Sequence, residues 1–82
     1  MTFKVKSNRL KSRGLITYEV LYCGSVYEAI VVVDLGGRAT LYSLRLSDGK
    51  RQTRQGTTRQ RMREDLLPDA EKRARTIRRG DS

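Results

Sequence analysis

Three runs rich in β-branched and aromatic residues, separated by two glycine-bearing turns, constrain this chain more than any other feature of its sequence. The runs span residues 15–23, 26–34 and 39–46, with Gly24-Ser25 and Leu35-Gly36-Gly37-Arg38 between them. Strong strand formers bounded by short glycine turns are typical of an antiparallel β-meander. The sequence therefore predicts three consecutive antiparallel strands at the centre of the chain.

The two turns give independent predictions of how the strands pair. If Gly24-Ser25 is a two-residue turn with glycine at its first central position, Val20 pairs with Ala29. If Gly36-Gly37 is a second two-residue turn, Ala29 also pairs with Leu44. Because side chains alternate along a strand, both turns then leave one face apolar on all three strands. The predicted core face includes Ile16, Tyr18, Val20, Tyr22, Tyr27, Ala29, Val31, Val33, Tyr42, Leu44 and Leu46.

The opposite face of the predicted sheet mixes charged and apolar side chains. Glu28 and Arg45 are expected to lie opposite each other and to form a cross-strand ion pair. The face carries more apolar residues than a sheet exposed only to water usually shows. Curling of the sheet, the terminal segments or a second copy of the chain would each cover it. The candidate protein-interface residues, and the possible surface of a homodimer, are Leu21, Ile30, Val32 and Leu41.

Length and composition exclude several classes of function. The chain has 82 residues, one cysteine (Cys23) and no histidine, which excludes an intrachain disulfide and histidine-dependent nucleophilic catalysis. No pair of carboxylates has a spacing that indicates general acid–base chemistry. We therefore expect a protein that is not an enzyme and has no metal or cofactor. The lack of a long apolar run and of a signal-peptide pattern at Met1 predicts a cytoplasmic protein without a membrane partner.

Positive charge lies at the two ends of the chain and not in its middle. The formal net charge is +9: residues 1–14 contain five basic and no acidic residues, residues 15–49 have a net charge of −2, and residues 50–82 have +6. An excess of this size points to nucleic acid, an acidic protein or another anionic surface as the partner, and does not choose among them.

The predicted fold is a single α+β domain over residues 1–82. Residues 1–14 form a basic strand or arm, in which Phe3 and Val5 alternate with lysines before a polar loop over 7–14. This segment is either a lysine-guarded sheet edge or an arm that follows a phosphate backbone. The meander is assigned to 15–55, with a turn at 47–50 and a polar last strand over 51–55.

A helical region is predicted over residues 57–79. Proline inside a helix costs about 3 kcal/mol, so Pro68 predicts either one kinked helix or two short helices, the second beginning at Pro68. An apolar stripe at near-helical spacing is expected to pack on the sheet. Since the stripe becomes thin from Ala70 onward, residues 70–79 are expected to stand away from the core. The stripe consists of Met62, Leu66, Ala70, Ala74 and Ile77, with Leu67 beside it.

Two functions are compatible with these features. The first is a non-enzymatic nucleic-acid-binding protein that makes mainly phosphate contacts through its basic termini. The alternative is a small interaction or inhibitor module, of the type found among accessory proteins of mobile elements, docking through the apolar back of the sheet or the arginine-rich helix. The tyrosines could stack on bases, but their place on the predicted core face favours packing. Candidate nucleic-acid contacts are Lys4, Lys6, Arg9, Lys11, Arg13, Arg51, Arg54, Arg59, Arg61, Arg63, Arg73, Arg75, Arg78 and Arg79.

Overall fold

The structure, a computed structural model, describes residues 1–47 and 55–80. Within these residues, four strands form one antiparallel sheet in the order β1-β2-β3-β4, and a single helix follows, so the predicted α+β fold is confirmed. The N-terminal segment forms a full strand rather than a short one. Most of the predicted turn at 47–50 and of the predicted strand at 51–55 lies outside the described residues, and Gln55 begins the helix. The elements are β1 (Thr2–Arg9), β2 (Leu15–Tyr22), β3 (Ser25–Val33), β4 (Ala39–Leu46) and α1 (Gln55–Gly80).

The turn between β2 and β3 is Cys23-Gly24, and not Gly24-Ser25 as predicted. Both turn residues have positive φ, 51° and 75°, as a type I′ hairpin turn requires. Tyr18 consequently pairs with Ala29 instead of Val31, so the predicted register was wrong by two residues. Because side chains alternate with a period of two, this shift leaves every residue of β2 and β3 on its predicted face.

The turn between β3 and β4 has three residues, Leu35–Gly37, instead of the predicted two. The Gly37 amide donates to the Asp34 carbonyl at 3.0 Å, and Gly37 itself has a φ of 83°. A three-residue hairpin loop that ends on a glycine in the left-handed region is the next most common connection after the two-residue turn. The glycine at position 37 is therefore needed for its backbone conformation.

A β-bulge in β4 changes which side chains of this strand enter the core. Val31 pairs with Leu41 and Ile30 pairs with Ser43, so Tyr42 has no partner of its own on β3. Two predictions are wrong for this reason. Tyr42, expected in the core, is 71% exposed, and Leu41, expected at a protein interface, is only 5% exposed. Beyond the bulge the pairing agrees with the predicted register again.

Helix α1 covers one face of the sheet, which we call the inner face, and leaves the other, the outer face, uncovered by the described residues. α1 runs through Pro68 without a break; Pro68 is exposed, so water can reach the carbonyl that lacks its usual amide partner. The predicted apolar stripe is confirmed, but the expectation that residues 70–79 stand away from the core is wrong. Ala70 and Ala74 are buried, because small side chains let the helix approach the sheet closely. Among residues 56–77 of α1, the buried ones are Thr58, Met62, Leu66, Ala70 and Ala74.

Candidate functional site

The loop between β1 and β2, residues 10–14, is held against the end of β3 by Gly14. The Gly14 carbonyl accepts a hydrogen bond of 2.7 Å from the Val33 amide, and Gly14 has a φ of 67°. A Cβ atom at this position would lie 2.5 Å from the Val33 carbonyl oxygen. Glycine is therefore required at position 14 for two reasons: its positive φ and the close approach of the two backbones. This contact fixes the loop over residues 10–14, which we call the basic loop because it contains Lys11 and Arg13, beside the inner face.

Two acidic side chains attach α1 to the sheet. The Tyr18 hydroxyl of β2 donates to Asp69 Oδ2 at 2.6 Å, and Arg73 Nε donates to the same oxygen at 2.8 Å. On the other side of the helix, Glu71 Oε2 accepts a hydrogen bond of 2.9 Å from the Ala39 amide at the start of β4. These contacts fix both the position of the helix and the direction in which it crosses the sheet.

The groups around Asp69 shift one another's pKa values. Burial raises the pKa of the Tyr18 phenol above its usual range, and the hydrogen bond to Asp69 raises it further. Burial also opposes ionisation of Asp69, but the hydrogen bonds from Tyr18 and Arg73 outweigh that effect and hold its pKa below the ordinary value. At neutral pH the cluster is a phenol, a carboxylate and a guanidinium whose hydrogen bonds are made inside the protein. Its role is structural.

Three clefts that share lining residues run between the end of β1 with the 10–14 loop on one side and the C-terminal half of α1 on the other. The largest, about 530 Å³, has Leu10 and Ile77 among its apolar lining residues and Lys11 and Arg13 among its basic ones. The second, about 360 Å³, is lined by Arg9, Lys11 and Ile77 together with the polar residues Asn8 and Ser12. The third, about 350 Å³, is lined by Asn8, Ile77, Asp69, Lys72, Arg73 and Thr76.

We call the three clefts together the basic groove, defined by Arg9, Lys11, Arg13, Lys72 and Arg73. It brings cations of the N-terminal segment next to cations of the helix, although about sixty positions of sequence separate them. Two carboxylates, Asp34 and Asp69, also line it, and both accept hydrogen bonds from the protein itself. The groove therefore has a cationic excess over an apolar floor.

Several of the predicted contact residues are neutralised by carboxylates of the chain. On the outer face, Lys4 pairs with Glu19 at 3.0 Å. Glu28 binds Lys6 at 3.0 Å and Arg45 at 2.7 Å, which confirms the predicted Glu28–Arg45 pair. The hydrogen bonds from Lys6 and Arg45 lower the pKa of Glu28. On the helix, Arg61 pairs with Asp65 and Arg73 with Asp69.

The remaining cations pair with no carboxylate of the described residues. Arg9, Lys11 and Arg13 belong to the basic groove, whereas Arg59, Arg63 and Arg75 lie on α1 outside its lining. The predicted contacts Arg51 and Arg54, and the side chains of Arg78 and Arg79, lie outside the described residues. The complete set of unpaired cations among the described residues is Arg9, Lys11, Arg13, Arg38, Arg59, Arg63, Lys72 and Arg75.

Lys72 is the groove residue that the sequence-based contact set missed. Asp69, Lys72 and Thr76 follow one another at helical spacing and so lie in a stripe beside the buried one. That spacing is visible in the sequence. What the sequence does not provide is the direction of the helix across the sheet, which decides whether this stripe meets the 10–14 loop or solvent.

Three of the four predicted protein-interface residues lie on the outer face. Leu21 is 51% exposed, while Ile30 and Val32 are half-buried between neighbouring strands. The fourth, Leu41, is in the core for the reason given above. The outer face therefore keeps an apolar surface that α1 does not reach.

Other types of site find no support in residues 1–47 and 55–80. These residues contain no cluster of three acidic or cysteine side chains that could hold a metal ion. Over the same ranges, no helix has both the length and the apolar content needed to cross a membrane. No protein-family model, curated protein or solved structure matches the chain.

Proposed function

We propose that this protein is a small, non-enzymatic nucleic-acid-binding protein that holds a phosphate backbone in its basic groove. One observation supports this proposal above the others. Arg9, Lys11 and Arg13 from one end of the chain and Lys72 from the other line adjoining clefts, and no carboxylate of the described residues pairs with them.

The distribution of acidic side chains supports a polyanionic ligand. Glu19 and Glu28 are engaged by the cations of the outer face, and Asp69 and Glu71 are engaged in attaching the helix. The cations of the groove therefore keep a positive potential that nearby carboxylates do not cancel. Such a surface attracts nucleic acid, and each phosphate it neutralises releases condensed counterions.

The neutral polar groups of the groove fit the same ligand. Asn8 and Ser12 line the clefts beside the cations and carry an amide and a hydroxyl donor, whereas the Thr76 hydroxyl already donates to the Lys72 carbonyl. Side chains of these types commonly donate hydrogen bonds to phosphate oxygens. Contacts to phosphates do not distinguish one base sequence from another. We therefore propose binding that depends on the backbone and not on sequence.

A charge-matched pair of variants tests this proposal. The groove variant is Arg9→Gln/Lys11→Gln/Lys72→Gln, and the control is Lys4→Gln/Lys6→Gln/Arg45→Gln on the outer face, which removes the same net charge. Fluorescence anisotropy would measure their affinities for labelled DNA and RNA of 20 nucleotides at low salt. We expect the groove variant to bind at least about tenfold more weakly than the control. Equal losses in the two variants, or no binding by the native protein, would rule the groove out.

A further inference from the structure

Tyr42 is placed on the outer face in a way that packing does not explain. The bulge in β4 leaves it without a partner on β3, and 71% of its surface is exposed although Leu41 before it and Leu44 two residues after it are buried. Bulges often redirect a side chain at a functional position. An aromatic ring turned away from the core onto an open sheet face is available to a ligand.

The surface beside Tyr42 is apolar and uncharged. Ile30 and Val32 of β3 and Leu15 of β2 are half-buried there, and Ile30 and Val32 pair with Ser43 and Thr40 of β4. The ion-paired residues of the outer face lie toward the other end of the strands, around Glu28. An apolar surface with one exposed aromatic ring suits a planar, uncharged group.

A row of paired residues connects this surface with the basic groove. Arg9 pairs with Leu15, Leu15 with Val32, and Val32 with Thr40, so the row crosses all four strands. Arg9 also lines the groove. Three strand spacings separate β1 from β4, a distance of about 14 Å. A ligand that leaves the groove past Arg9 can therefore reach Tyr42 without meeting a carboxylate in this row.

We infer that the end of the outer face that carries Leu15, Val32 and Tyr42 binds single-stranded nucleic acid, with one unpaired base stacked on the Tyr42 ring and the backbone continuing past Arg9 into the groove. This inference rests on the proposed function and names its substrate class. Stacking needs a free base face, which a single strand offers and a duplex does not.

The charge of the outer face favours a polyanion over a second copy of the chain. The face carries Lys4, Lys6, Arg9 and Arg45 against Glu19 and Glu28, an excess of positive charge that two identical faces would bring together. Face-to-face pairing would also remove the Lys6–Glu28–Arg45 cluster from water, which is costly for ion pairs. A single strand of nucleic acid is negatively charged, so it avoids the repulsion between like faces and does not need to remove the ion-pair cluster from water.

The test compares Tyr42→Ala and Tyr42→Phe on two probes, a labelled 12-nucleotide single strand and a duplex of the same sequence. Tyr42→Ala should weaken single-strand binding about 5- to 140-fold and leave duplex binding unchanged. Tyr42→Phe keeps the ring and should bind the single strand within about twofold of the native protein. Leu21→Ala, which truncates another exposed side chain of the same face, is the matched control and should have no effect on either probe.

The outcomes separate this inference from the proposed function. If the groove variant loses affinity but Tyr42→Ala does not, the stacking site is wrong and the groove stands. An equal effect of Leu21→Ala would also overturn the stacking site, because it would indicate a general surface effect. Sedimentation of the native protein and Tyr42→Ala provides a further check: a dimer that the substitution dissociates would assign this face to a second copy and overturn the inference. If nothing binds, the proposed function itself fails.

Discussion

The Tyr18 hydroxyl and the Asp69 carboxylate, 51 positions apart in the chain, are joined by a hydrogen bond of 2.6 Å between the sheet and the helix. The ring of Tyr18 is fully buried, and Phe3 of β1 packs edge-on against it with 5.6 Å between ring centroids. The contact therefore links β1, β2 and α1. Since the basic groove lies between β1 and α1, its geometry depends on the Tyr18–Asp69 hydrogen bond.

Removal of the Tyr18 hydroxyl should destabilise the fold. Tyr18→Phe leaves Asp69 with one donor fewer, and a hydrogen bond to a charged group contributes about 1.5–3 kcal/mol. Urea denaturation would measure the loss. Tyr42→Phe is the matched control, because it removes a hydroxyl from an exposed tyrosine and should change stability by less than about 0.5 kcal/mol. Equal effects of the two substitutions would contradict the assigned role of Asp69.

The same bond predicts a pH dependence at alkaline pH. The folded state raises the pKa of Tyr18, so its contribution to stability is complete below the unfolded value, about pH 10, and is lost as pH rises through the folded pKa. The difference in unfolding free energy between the native protein and Tyr18→Phe should therefore be constant between pH 6 and 9. It should shrink above pH 10. A difference that stays constant to pH 11.5 would show that ionisation of Tyr18 is not linked to folding.

At the hairpin turn, the sign of the stability change caused by substituting Cys23 distinguishes two registers of β2 and β3. Cys23 occupies a left-handed position of a type I′ turn, where asparagine is favoured, so Cys23→Asn should stabilise the protein by up to about 1 kcal/mol. In the alternative register, with Gly24-Ser25 as the turn, residue 23 would belong to a strand, where asparagine is unfavourable. Thermal denaturation of Cys23→Asn distinguishes the two, since destabilisation would favour the alternative.

The two glycines at 14 and 24 test how closely the basic loop is held. Both have φ near +70°, but only Gly14 has backbone within contact distance of an added Cβ. Gly24→Ala should cost about 1–2 kcal/mol from backbone strain alone. Gly14→Ala adds a clash with Val33 and should cost clearly more, with a parallel loss of nucleic-acid affinity as the loop shifts. Equal costs in chemical denaturation would mean that the loop is not fixed by this contact.

Alternating hydrophobicity predicts the faces of β2 and β3 correctly but cannot fix their register. Cys23-Gly24 and Gly24-Ser25 are both acceptable turns, and a shift of two residues keeps every side chain on its face. The pattern of buried and exposed positions is thus the same for both. The two registers differ in their residue pairs and in the backbone conformation of Cys23, neither of which is encoded in the alternation of hydrophobic residues.

The bulge and the groove could not be predicted for a different reason. Leu41 and Tyr42 are adjacent and both suit a strand interior, so nothing local indicates which of them faces the core. The groove depends on how α1 crosses the sheet, which is set by Tyr18–Asp69 and Ala39–Glu71 contacts between distant segments. Charge counts alone also placed Lys4 and Lys6 among the nucleic-acid contacts, whereas the structure pairs both with carboxylates on neighbouring strands.

The salt dependence of binding tests most directly whether the two basic segments hold one phosphate backbone. The slope of log affinity against log salt falls by roughly 0.7–0.9 for each phosphate contact that is removed. Lys11→Gln and Lys72→Gln should each reduce the slope by about that amount, and the double variant by about twice as much, while Lys4→Gln leaves it unchanged. A slope near zero for the native protein, or an equal reduction by Lys4→Gln, would contradict the account.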